Sequence, residues 1–201
     1  QKGEENAQKI YARVMKFFVI TCCFMFLFIS LFIEVFGWFF IAIDKPLWAQ
    51  GLQVVPLLAL GNIFLGVYYN LSIWYKLTDK NNYGAMITIA GALITIGLNI
   101  VLIPSLHYLG AALATFLCYT FMMLVSYYMG QQYYPVPYAT KKLSAYLVIV
   151  LVMYGLQKTI LYFFPLLWLG IIIGFTCIGL FTWLVVWAEQ KELSKLFRKA
   201  N

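Results

Sequence analysis

The chain has 201 residues, of which 64% are hydrophobic and 10% charged, against roughly 45–50% and 25% in soluble globular domains. A soluble domain of this length could not cover that much apolar surface, so neither a soluble enzyme nor a disordered segment fits the composition. The formal net charge of +7 does not mark a nucleic-acid-binding protein either, because the basic residues fall between long apolar runs and not along one exposed face.

Along the chain, the first recognisable element is residues 7–18. Ile10, Val14 and Phe17 recur at helical spacing, and Lys9, Arg13 and Lys16 mark the opposite face. This predicts a basic amphipathic helix on the membrane surface that runs into the first span. The chain opens at Gln1 without Met or a signal-peptide pattern, and the expectation is a piece of a longer protein.

A bilayer core needs about 20 apolar residues per helix. That rule predicts six spans, at about 17–38, 52–74, 83–103, 107–130, 143–163 and 166–187. The runs are continuous and lack the alternating polar residues of a barrel strand, so they read as helices. Pro56 falls in the first turn of the second span, where its missing N–H costs nothing. Pro104 ends the third span, and the few residues before His107 make spans three and four a tight hairpin. The expected organisation is a cytoplasmic segment at 1–16, an all-α membrane domain of six transmembrane helices at 17–188, and a basic cytoplasmic tail at 189–201.

The charges support this division. With six spans, Lys45 and Lys158 alone lie on the far side, which leaves twelve of the 14 Lys and Arg residues on the side of the N terminus. Cytoplasmic loops carry the Lys/Arg excess, so both ends of the chain are expected in the cytoplasm.

Polar residues inside the spans are the candidate functional groups. Asn62 and Asn70 stand eight apart in span two, near one helix face, and Thr88, Thr95 and Asn99 mark one side of span three. These groups need partners on neighbouring helices or in a wet cavity. Glu34, near the outer end of span one, reads either as an ion-coupling carboxylate or as a headgroup-level residue. His107 reads as a polar turn residue. Cys22, Cys23, Cys118 and Cys177 have no metal-site or disulfide spacing and read as small apolar residues. Gly84, Thr88 and Ala92, the Gly110–Ala114 stretch, and Gly170 with Gly174 allow close helix approach. No nucleophile–base pair, metal-ligand spacing or phosphate-binding glycine loop stands out. No enzyme activity, metal or cofactor is therefore expected.

Two stretches carry a more specific signal. One runs from Val54-Val55-Pro56-Leu57-Leu58-Ala59-Leu60-Gly61-Asn62 to Tyr75-Lys76-Leu77-Thr78-Asp79-Lys80. The other is Leu98-Asn99-Ile100-Val101-Leu102-Ile103-Pro104 followed by Gly110-Ala111-Ala112-Leu113-Ala114-Thr115. Over about residues 50–137 this pattern resembles the C-terminal half of the Wzx-type oligosaccharide flippases, in the superfamily that also holds multidrug and toxin extruders and the lipid II flippase. The resemblance implies the C-terminal part of a two-lobe transporter of 12 or 14 helices, with the lobes related by an axis along the membrane normal. It also implies a function: flipping an undecaprenyl-pyrophosphate-linked oligosaccharide across the bacterial inner membrane by alternating access, for O-antigen, lipopolysaccharide or exopolysaccharide synthesis, with an H⁺ or Na⁺ gradient as the candidate drive.

Implied partners are that lipid-linked oligosaccharide, membrane lipids, an N-terminal lobe of the same protein and the polysaccharide polymerase machinery, and no nucleic acid. Asn62, Asn70, Thr95, Asn99 and Lys76 are the substrate-cavity candidates and Glu34 the ion-coupling candidate. The spans hold no deep basic residue for the pyrophosphate, a departure that leaves the anion site to the missing lobe. A multidrug extruder, a lipid II flippase and a non-transporting subunit of a polysaccharide assembly complex are the alternatives.

Single cysteines placed in segments 1–16 and 189–201 should react with an impermeant thiol reagent only after the cytoplasmic face is opened. Labelling of the C-terminal segment from outside would reverse the topology.

Overall fold

The structure is a computed structural model that describes residues 2–200, with side chains described for all of these except Lys2, Pro46, Gln50 and residues 191–200. The chain is helical almost throughout, and the described residues contain no strand. The helices are α1 (Lys2–Leu31), α2 (Ile33–Ala42), α3 (Pro46–Gly51), α4 (Val55–Leu71), α5 (Ile73–Leu77), α6 (Asn81–Tyr133), α7 (Thr140–Phe163) and α8 (Leu167–Ala200), with a 3₁₀ turn at Leu52–Val54 between α3 and α4. Pro56 lies in the first turn of α4, as expected. Pro135 and Pro137 stand in the break before α7, and Pro165 in the break before α8, where a residue without an N–H interrupts a helix at least cost.

Among the described residues, five helical segments are long and apolar enough to cross a membrane: Gly3–Leu31, Leu47–Leu77, Asn81–Tyr133, Thr140–Phe163 and Leu167–Gln190. Trp38, Trp48, Met86, Leu93, Ile100, Trp168 and Trp183 are among many large apolar side chains left exposed on the outside. Water would not tolerate such a surface, whereas lipid does.

The longest helix is not a rod. At 1.5 Å per residue the 53 residues of α6 would reach about 80 Å, against a hydrocarbon core of about 30 Å. The helix reverses at His107, the one residue inside it with non-helical angles (φ 50°, ψ −127°). Its two arms then run side by side. Cys118 Sγ lies 3.2 Å from Gly91 O, and the hydroxyls of Tyr83 and Tyr133 lie 3.3 Å apart. The expected tight hairpin is therefore present, with one correction: the helix passes through Pro104 and turns three residues later. The arms meet so closely at the turn that a β-carbon on Gly110 would overlap the Leu102 carbonyl.

α1 is the hub and packs against α4, α7 and α8. Met15, Val19, Cys23, Leu27 and Leu31 follow one another at four-residue steps, and each is at most 3% exposed. Around them pack Ile63 and Leu71 of α4, Tyr146, Val150 and Met153 of α7, and Phe181 and Val185 of α8. Lipid tails are as apolar as these side chains, so van der Waals fit, not exclusion from water, holds the helices together. α6 packs on α4 and α5. Trp74 of α5 stacks on Tyr133 (5.4 Å, 14°) and donates to Ser126 Oγ at 3.2 Å. Lys80 Nζ caps the far side of that stack, 3.4 Å from the Tyr133 ring centroid, a cation–π contact.

Residues 2–16 and the first apolar run form one helix, since α1 is continuous from Lys2 to Leu31. Lys16, expected on an exposed polar face, is 5% exposed. The helix breaks at Phe32, inside the region read as one span.

His107 occupies backbone space that a β-carbon disfavours, at a cost of about 1–3 kcal/mol. His107→Gly should therefore raise the thermal midpoint of the detergent-solubilised protein, and Gly110→Val should lower it. A neutral result for both would mean that the hairpin turn is not built as described.

Candidate functional site

Polarity and position along the spans point to Asn62, Asn70, Asn99, Thr95 and Lys76 as cavity candidates. Asn62 is exposed on α4 and donates to its own helix at Leu58 O (2.9 Å). Asn70, half-buried, does the same to Gly66 O (3.0 Å). Thr95 donates to Gly91 O at 2.9 Å. Lys76 is exposed at the end of α5. Asn99 differs from the others, because its Oδ1 is sheltered and has no hydrogen-bond partner among the described residues. None of the five lines either of the two cavities described next.

Glu34 does line a cavity. Its Oε1 accepts from Lys158 Nζ at 3.0 Å, so α2 and α7 share an ion pair with both side chains more than a third exposed. The pair stands at the rim of a cavity of about 190 Å³, with Gln53, Tyr154 and the small or apolar residues Gly37, Ala49 and Pro56 around it. A second cavity, about 340 Å³, lies between α1, α4, α6 and α7. It is almost wholly apolar, with Met15, Phe64, Leu71, Met123 and Leu147 among its walls. Tyr138, in the connection before α7, also lines it. Burial, with Tyr134 and Tyr127 nearby, pushes the Tyr138 phenol up to about 12, so it is neutral at physiological pH.

Two polar clusters escaped the sequence. In the first, Glu189 of α8 is 2% exposed and sits at the centre of a network. Its Oε2 accepts from Lys16 Nζ at 2.6 Å, and its Oε1 accepts from Tyr146 Oη at 2.9 Å and Lys142 Nζ at 3.3 Å. Lys16 and Glu189 are 173 positions apart, and the sequence places Lys16 on an exposed polar face.

In the second, Gln157 of α7 is 1% exposed and donates from Nε2 to Leu31 O and Gly170 O, both at 2.9 Å. The break at Phe32 makes this possible. Val35 N–H turns to Phe32 O, and the Leu31 carbonyl is left for Gln157. Gln157 was visible as an amide in an apolar run, but nothing local showed what it would meet.

No family model, curated protein or solved structure matches the chain. Fold and site define a class: an all-helical membrane protein whose central helix is tied to its neighbours by polar contacts at Lys16, midway along it, and at Leu31, its last residue. Among the described residues no group of His, Cys, Asp or Glu is arranged to hold a metal ion.

Removing one partner of a buried ion pair leaves an uncompensated charge, at a cost of about 3–5 kcal/mol. Glu189→Gln should therefore lower unfolding stability by that order, and Glu189→Leu combined with Lys16→Met should recover most of it. Equal losses in the single and the double variant would show that the network contributes no coupling.

Proposed function

We propose that this chain forms one lobe of a transporter that flips a lipid-linked oligosaccharide across the bacterial cytoplasmic membrane, with the hairpin of α6 counted as two of six spans and both ends of the chain in the cytoplasm. A headgroup rich in charges and hydroxyls cannot enter hydrocarbon unpartnered, so its passage needs protein polar groups at membrane depth. The observation that carries the reading is Asn99. It lies in the Asn99–Pro104 stretch that resembles the flippases, and its Oδ1 is an acceptor without a partner among the described residues. In lipid such an atom is costly unless a substrate or the other lobe satisfies it.

The multidrug-extruder alternative needs an acid free to take a coupling cation. Glu34 is neutralised by Lys158 at 3.0 Å, which favours the flippase branch. A non-transporting subunit of a polysaccharide assembly complex remains the reading from another class.

In the full-length protein, Asn99→Leu should lower surface-polysaccharide export by about tenfold at unchanged expression, the rate equivalent of about 1.4 kcal/mol for one lost hydrogen bond. Unchanged export in Asn62→Leu, Asn70→Leu and Asn99→Leu alike would reduce all three to packing residues and remove the support for this reading.

A further inference from the structure

The cavity at the Glu34–Lys158 pair has a chemistry that the fold does not use. Glu34 Oε1 is bonded to Lys158, while Oε2 has no hydrogen-bond partner among the described residues. Gly170 of α8 stands beside it: a β-carbon there would lie 3.9 Å from Oε2, in ordinary van der Waals contact. Lys158 uses one of its three protons in the pair. Tyr154 and Gln53 line the same cavity, and neither side chain has a hydrogen-bond partner among the described residues. Residues that carry donors and acceptors thus border one small space, with Ile33, Leu52 and Pro56 as its apolar lining.

Which ligand suits it follows from the pair. At 3.0 Å the two charges already cancel, so a metal cation or a charged headgroup would have to compete with a tethered partner. A neutral polyhydroxylated ring need not. It can donate to Glu34 Oε2, accept from the remaining Lys158 and Gln53 N–H groups, and lay its C–H face on the apolar wall. At about 190 Å³ the cavity falls below the roughly 300–1,000 Å³ of sites for drug-sized ligands, which fits one ring and not a chain.

We infer that this cavity is a subsite for a single neutral sugar residue, held by Glu34, Lys158, Gln53 and Tyr154. The inference rests on the transport reading for its place in function, since it would hold one residue of the carried oligosaccharide. It makes Glu34 a sugar-binding group, not an ion-coupling one.

The test is saturation-transfer NMR on the full chain in nanodiscs, with N-acetylglucosamine as probe and phosphoethanolamine as the charged comparison. N-acetylglucosamine should give a saturable signal and phosphoethanolamine should not displace it. Gln53→Ala, at an exposed position outside the packed core, and Glu34→Gln should each weaken sugar binding by about tenfold, as expected for one lost hydrogen bond to a charged or amide group. Sugar binding that is indifferent to both variants, or tighter binding of phosphoethanolamine, overturns the inference. Binding is read without transport. Failure of the Asn99 export test would therefore leave a positive sugar result standing, and absent sugar binding would leave the transport reading standing.

Discussion

In hydrocarbon no water replaces a missing hydrogen bond, and each polar group at membrane depth must find its partner inside the protein. Most of the chain meets this demand locally. Thr21, Thr88, Thr95, Thr115, Thr120, Thr159, Thr176 and Thr182 all donate to the carbonyl four residues earlier in their own helix. Where the helix itself is interrupted, the repair comes from another helix. The break at Phe32 frees a carbonyl, and Gln157 supplies the donor while also reaching Gly170 O. One amide thus joins α1, α7 and α8 at a depth where apolar packing by itself selects no particular register.

Charge follows the same constraint at the two ends of α7. Near its start, Lys142 and Tyr146 meet Glu189, which also holds the buried Lys16. Near its end, Lys158 meets Glu34. The first cluster is almost dry apart from Lys142, which is 54% exposed, so its geometry has to be exact in the folded bundle. The second is half-exposed, where ion pairs contribute little to stability, and its polar atoms remain available to a ligand. The two pairs therefore serve different ends: one locks α1, α7 and α8 together, and the other borders a cavity.

The all-helical class was legible because lipid imposes length and composition directly on each span. Pro56 in the first turn of α4 was legible for the same local reason, and so was the α6 hairpin, since Pro104, His107 and Gly110 lie within seven residues of one another. The candidate site was less so. Asn62, Asn70 and Thr95 were chosen for their polarity, and the structure shows them bonded to their own helices, an outcome that spacing alone does not reveal. Lys16 was misread because a basic residue beside Arg13 looks like a surface charge until the partner 173 positions away is known.

By itself the sequence determined that this is a helical membrane protein and where the apolar segments lie. These follow from composition and short-range periodicity, the properties a bilayer reads. Only the tertiary structure decided which helix is central, that the first span is interrupted at Phe32, and which charges are buried in pairs. Those outcomes depend on contacts between helices far apart in the chain, where one apolar face packs against lipid as well as against another helix and the few polar groups choose the arrangement.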